Sequence, residues 1–430
     1  MGVKLNLEHW KSMPGPDDVH RFVLENGIVV LCRQNLTSPS VQINGYLTYG
    51  SMFDPPEQLG LAQFTTLGLM KGTQKRSFSE IYDALESVGA SLGLASSVHT
   101  TSFSGRALAE DLPLLLSILQ ESITQPTFPP DQIERLRAQY VTGLEIRDQS
   151  TEDMASMTFD QMLFPNHPYG LPVDGYANTV KAISRDDLVE FHRRHAGPRG
   201  MVIAIVSNLA PEEALHQVQD ALGGWNNPEQ IAEPSFPAVS APTQTRREHV
   251  ELAGKSQSDL VMGTLGPRRN DDDYVAASLG NNVLGQFGMF GRIGEVVREQ
   301  SGLAYYASTH INASSEAGSW EVSAGVNPAN LDRAIELIIG ELRRFTREPV
   351  SLEELEDTQS YYLGRLPMQL ESNAGVAGAL INIERYQLGL DYYRRYPQMV
   401  LEVTPEKVLE AARRYIEPDK LYIATAGSRA

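Results

Sequence analysis

Arg298 and Tyr305, with six residues between them, are the pair in this sequence best suited to meet developing negative charge. Arginine is a permanently charged planar fork and tyrosine a neutral O–H donor, and both are suited to developing negative charge. Just upstream, the run L-G-Q-F-G-M-F-G-R-I from residue 284 holds Gly285, Gly288 and Gly291, whose missing Cβ atoms would let a peptide backbone approach closely. The run lacks a G-K-[ST] and is not preceded by a dinucleotide-type strand and turn, which argues against a phosphate loop. His192 and His195 have a helical i, i+3 spacing that could hold a metal, but no third ligand accompanies them, and exposed or capping roles are expected. His167, in the stretch F-P-N-H-P-Y-G-L-P from residue 164, is expected in a turn. The one cysteine, Cys32, forbids an intrachain disulfide and a cysteine-based metal cluster. It lies in the apolar run 27–32 and reads as a buried strand residue rather than a nucleophile.

These residues need a scaffold larger than one core. At 430 residues the chain implies two or more domains. Its 41% hydrophobic and 21% charged residues are those of a globular protein. The apolar runs at 201–206 and 114–119 are too short to span a bilayer. Residues 1–17 hold no apolar signal-peptide region, so a cytoplasmic location is expected. The net charge of −18 repels nucleic acid and anionic membranes, which argues against both as partners. It suits cationic peptides, a basic partner protein, or plain solubility.

The two halves of the chain resemble each other. I-S-R-D-D-L-V-E-F-H-R-R-H from residue 183 leads to Pro198 and an apolar run, and V-T-P-E-K-V-L-E-A-A-R-R-Y from residue 403 leads to Pro418 and another, at an offset of 220. Each copy reads as a helix capped by Ser184 or Thr404, then a turn and a buried strand. The openings of two further helices, near Pro130 and Leu352, are related by an offset of 222. Strands are predicted near 21–33, 41–49, 90–107 and 201–207, and again near 248–252, 259–264, 303–326 and 421–426. Regular βαβ alternation is missing. The expectation is therefore an α+β protein of two homologous repeats, each a largely antiparallel sheet backed by helices. The repeats are residues 1–228 and 246–430, joined by a Pro-, Ala- and Ser-rich linker at 229–245.

G-L-A-Q-F-T-T-L-G-L-M-K-G-T from residue 60 resembles the zinc-site helix of the pitrilysin/insulysin-type peptidases, the inverzincins, roughly G-L-A-H-F-L-E-H-M-L-F-K-G-T. The frame is kept, but the H-x-x-E-H positions hold Gln63, Thr66 and Leu67. Gln and Thr are poor zinc ligands and Leu is none. The family's third ligand, a Glu about 75 residues on, falls near Leu144, with Glu145 beside it. The resemblance thus implies no catalytic zinc in this chain. R-E-Q-S-G-L-A-Y from residue 298 is similar to the family's Arg/Tyr motif, and the glycine run to its glycine-rich loop.

In active members the Arg and Tyr reach the zinc site from the opposite half or subunit and hold the substrate backbone. In the family's bacterial and mitochondrial heterodimers one subunit carries zinc and the other the glycine-rich loop or the Arg/Tyr pair. The resemblance therefore implies a non-catalytic, substrate-positioning subunit that works with a zinc-bearing homologous partner on peptides. A structural protein like the core subunits of the respiratory cytochrome bc complex is the alternative, as is a peptide-binding homodimer without proteolysis.

Overall fold

Alternation of side chains decides which strands lie at a half-solvated surface and which are enclosed. In β5 (Thr101–Leu108) every second residue is buried. In β6 (Val202–Ser207) all six are, so that strand is covered on both faces. The computed structural model describes residues 13–429. The first part of the N-terminal stretch read above for targeting features, up to residue 12, lies outside the described residues.

The first sheet contains β1 (Val19–Val23), β2 (Val29–Gln34), β3 (Ser40–Leu47), β4 (Ser91–Ser96), β5 and β6, in the order β1-β2-β6-β3-β5-β4. The second contains β7 (Arg246–Glu251), β8 (Ser258–Gly266), β9 (Ala304–Ala313), β10 (Gly318–Val326) and β11 (Tyr422–Gly427), in the order β7-β11-β8-β10-β9. The second order repeats the first from β2 onward, and β1 is an addition. Each sheet has one parallel pair, β2 with β6 and β7 with β11, and the other pairs are antiparallel. The single strand predicted near 21–33 is a hairpin, because Gly27 turns the chain at φ +92. The duplicated helices are Arg185–His195 and Pro405–Tyr415, with Ser184 and Thr404 accepting the capping N–H bonds. The second pair, Pro130–Arg147 and Leu352–Gln369, has equal lengths of 18 residues.

The halves also exchange a helix. Val376, Ala377, Leu380 and Ile383 of the helix Asn373–Arg385 pack on Leu31, Tyr46, Val202 and Ala204 of the first sheet. In return, Ala155, Phe159 and Met162 of the helix Thr151–Leu163 pack on Val261, Ala424 and Ala426 of the second. At roughly 1.5–3 kcal/mol for each large apolar side chain buried, either exchange contributes several kcal/mol. Arg21 adds a two-bond ion pair to Glu384, at 3.0 and 2.8 Å. The main core of each half is built from that half alone, but a smaller second core on each sheet is completed by a helix from the other half. Residues 229–245 are irregular and mostly exposed, and they are anchored through Glu233 to His99 at 2.8 Å.

Candidate functional site

The helix carrying the degenerate motif, Leu61–Gly68, is held by the residues of the retained frame. Gly60 sits at φ +93, and a Cβ there would come within 2.6 Å of the Asp174 carbonyl. Asp54 accepts from the N–H groups of Gly60 and Ala62, both at 2.8 Å, and so caps the helix. Burial nevertheless pushes its carboxyl up to about 7. At the far end Thr73 Oγ1 accepts from Lys75 and Arg76 N–H, closing the K-G-T turn. The frame thus has local structural reasons to persist.

The positions between have been turned to other uses. The Gln63 side-chain oxygen accepts from the Ser96 N–H at 3.0 Å, which ties the helix to β4. Thr66 is buried, with its hydroxyl 3.1 Å from that of Thr101. Leu67 is half-buried among core side chains. At the third-ligand place Leu144 is in the core, and Glu145 is exposed and pairs with Lys181 at 2.8 Å. These side chains do not fit a zinc ion. Among the described residues no three His, Cys, Asp or Glu side chains are grouped to hold a metal.

Arg298 and Tyr305 flank a tight reversal. Arg298 lies within the last turn of a π-helical segment, Glu295–Glu299, a conformation often found at functional sites. Its carbonyl accepts from Gly302 N–H at 2.9 Å, and Gly302 takes φ +63 before β9 begins. The half-buried Arg298 side chain has the Glu299 carboxylate at 3.6 Å. Strand alternation sends the next two tyrosines to opposite faces. Tyr306 donates to Asp259 at 2.7 Å, whereas Tyr305 is 68% exposed on β9, the edge strand of its sheet. Tyr305 is not a core residue.

The glycine run, expected as a loop, is hydrogen-bonded as a helix from Phe287 to Gly294. Gly288 and Gly291 distort it, at φ +61 and +60. Two of the close approaches are made to the chain itself. A Cβ on Gly285 would lie 2.5 Å from Thr309 N, and one on Gly291 2.6 Å from the Val283 carbonyl, while Gly288 faces open space. The run borders an open cleft of about 480 Å³ with Glu295 and Glu299 on its wall. Arg292 in that wall is neutralised by Glu354 through two 2.6 Å bonds, which hold the Glu354 carboxyl at about 2.

The histidines are structural. His167 Nδ1 accepts from Tyr169 N–H in a turn. His192 and His195 are not exposed: the first bonds the Ile123 carbonyl at 2.9 Å, the second packs on Phe53 and Phe191, and burial lowers both to about 4. Cys32 is buried in β2, and burial pushes its thiol up to about 12. Sequence reasoning missed a second cleft, between the halves, where Glu233, His99, Tyr169 and Ser314 form a hydrogen-bonded chain beside Asp160. No local signal marks it, because its members come from separate segments.

Fold and site define a two-repeat peptidase-like protein whose metal-binding helix has lost its ligands. The family model for insulinase, peptidase family M16, matches residues 29–174, and that for the peptidase M16 inactive domain matches residues 182–362. This chain belongs to the M16 peptidase family. It is 26% identical over 412 residues to an uncharacterized zinc protease of Streptomyces coelicolor, covering 94% of this chain and 88% of that one. A crystal structure of a peptidase M16 inactive domain from Pseudomonas fluorescens matches at a TM-score of 0.88 and 26% identity, over 96% of this chain and 98% of that one. Subunit 1 of the human mitochondrial cytochrome b-c1 complex is 25% identical over 267 residues, 62% of this chain and 55% of its own length. Among the described residues no helix is long and apolar enough to cross a membrane.

Proposed function

We propose that this chain is the non-catalytic subunit of a heterodimeric zinc peptidase, in which it positions peptide substrate for a homologous, zinc-bearing partner. The observation that carries this reading is the 68% exposure of Tyr305, presented on an edge strand next to the Arg298 turn. A phenol kept for packing would be buried, whereas one kept to donate to a partner-bound substrate must be accessible. Arg298 supplies the fixed charge and Gly288 an unobstructed backbone. The zinc belongs to the partner, since Gln63, Thr66 and Leu67 serve the fold here. The residues 1–228, 229–245 and 246–430 remain the proposed division of the chain, with the exchanged helices crossing it. The similarity to a cytochrome b-c1 subunit favours a purely structural role as the second reading.

The test is co-expression with a homologue that carries H-x-x-E-H, followed by mass measurement, zinc analysis and hydrolysis of a quenched fluorescent peptide. Tyr305→Phe is expected to lower turnover about 10²–10³-fold, as loss of one oxyanion donor does, with zinc content and melting temperature unchanged. Arg298→Lys, which keeps the charge but loses the fork, is expected to be impaired too. Wild-type turnover in both variants, or failure of the two chains to associate, would overturn the reading.

A further inference from the structure

We propose that a pocket among the helices Tyr274–Gly285, Leu352–Gln369 and Tyr392–Leu401 binds an oxyanion borne on a flat apolar group, the whole about the size of one amino-acid residue. The pocket is about 230 Å³ and is walled largely by tyrosine rings. This is smaller than a drug-sized ligand needs.

At its base is Arg269, a half-buried guanidinium. The rings of Tyr274, Tyr392 and Tyr386 lie against it, with centroids 4.4, 5.3 and 5.7 Å from its central carbon. Among the described residues its side chain makes one hydrogen bond, Nη2 to the Tyr392 hydroxyl at 3.0 Å. That partner is neutral, and no carboxylate of the described residues lies within ion-pair distance of Arg269.

A guanidinium cannot escape burial by losing its proton, and buried charges are ordinarily paired. Cation–π contacts compensate part of the lost hydration but leave most of the five N–H donors without a protein acceptor among the described residues. Charge balance in this chain makes the gap more telling. Acidic residues outnumber basic ones, 54 to 36, and most other half-buried arginines here have found a carboxylate, as Arg292 has with Glu354. A second guanidinium, Arg365, stands at the exposed rim, 3.4 Å from the Tyr361 hydroxyl. Two arginines supply the charge for an oxyanion, and the rings supply stacking faces for a planar body. This inference does not depend on the proposed function, since the pocket shares no residue with the Arg298/Tyr305 site.

Carboxylates and phosphate monoesters share this chemistry, and calorimetry on the full chain separates them. The probes are N-acetylphenylalanine, its uncharged amide, phenyl phosphate and inorganic phosphate. The acid or phenyl phosphate is expected to bind at millimolar concentration or better, and the amide at least about tenfold more weakly, the loss of one charge-assisted contact. Tighter binding of the acid assigns a carboxylate ligand, such as a peptide C-terminus. Tighter binding of phenyl phosphate assigns a phosphate ester. Arg269→Met should abolish binding. Arg365→Ala, an exposed change that leaves folding intact, should weaken it several-fold. The proposal is overturned if neither anion binds at about 10 mM, if the amide or inorganic phosphate alone binds as tightly, or if Arg365→Ala and a folded Arg269→Met both bind like wild type.

Discussion

Rebuilding the family motif as Gln63→His, Thr66→Glu and Leu67→His should yield a destabilised protein, not a zinc enzyme. Position 66 controls the magnitude. Thr66 is 1% exposed, and Thr65 and Thr101 beside it are fully buried. A glutamate there has no cationic partner, so burial would raise its carboxyl above neutrality, and it would fold protonated. Keeping a group with an ordinary value near 4.3 protonated at pH 7 costs about 4 kcal/mol. The added volume in a packed core costs about 1–3 kcal/mol more. Together these rival the whole stability of a typical domain, roughly 5–15 kcal/mol. Zinc cannot repay this, because Leu144 fills the third-ligand place and Glu145 is drawn outward to Lys181. The sign of the pH effect is diagnostic. The unfolded chain releases the proton that the folded chain retains, so the deficit is full at pH 7 and shrinks as pH falls toward 4. Calorimetric melting at pH 5 and 7, with and without zinc, measures this. A Thr66→Gln control keeps the size without the charge and should show the volume cost alone. One tightly held zinc per chain with peptide hydrolysis, at an unchanged melting temperature, would refute the reasoning.

Two further outcomes can be measured on the isolated chain. Gly291→Ala and Gly288→Ala both force a side chain to φ near +60, a cost of about 1–2 kcal/mol, but only at 291 would the Cβ also lie 2.6 Å from a carbonyl oxygen. Gly291→Ala should therefore be clearly the more destabilising in urea unfolding, and equal costs would show that the backbone gives way freely. Asp160 and Glu321 are buried near each other, and burial, with mutual repulsion at Asp160, raises them to about 8 and about 7. Carboxyls raised in this way favour the fold at low pH, so stability should decline as pH rises from about 4 to 8. Asp160→Asn should flatten that slope, and an unaltered slope would exclude Asp160 as its source.

The repeat was legible in the sequence because its signals are local. Caps at Ser184 and Thr404, an apolar run after Pro198 and Pro418, and alternation along β5 each depend on neighbours a few residues away. The loss of metal-ligand chemistry at Gln63, Thr66 and Leu67 was legible through resemblance, because the frame from Gly60 to Thr73 keeps the pattern of the family's zinc-site helix while the ligand types are gone. Tertiary structure decided the rest. The amphipathic pattern of the helix Asn373–Arg385 shows that it has an apolar face but not which sheet that face covers, and it covers the sheet of the other half. Alternation shows that Tyr305 and Tyr306 part company, but only the placement of Asp259 draws one inward and leaves the other in solvent. His192 and His195 looked polar and exposed in sequence, yet a carbonyl from another helix and two phenyl rings bury them. The Arg269 pocket is the extreme case. Its tyrosines come from three separate helices, and no window of sequence contains the fact that a charge there meets no carboxylate among the described residues.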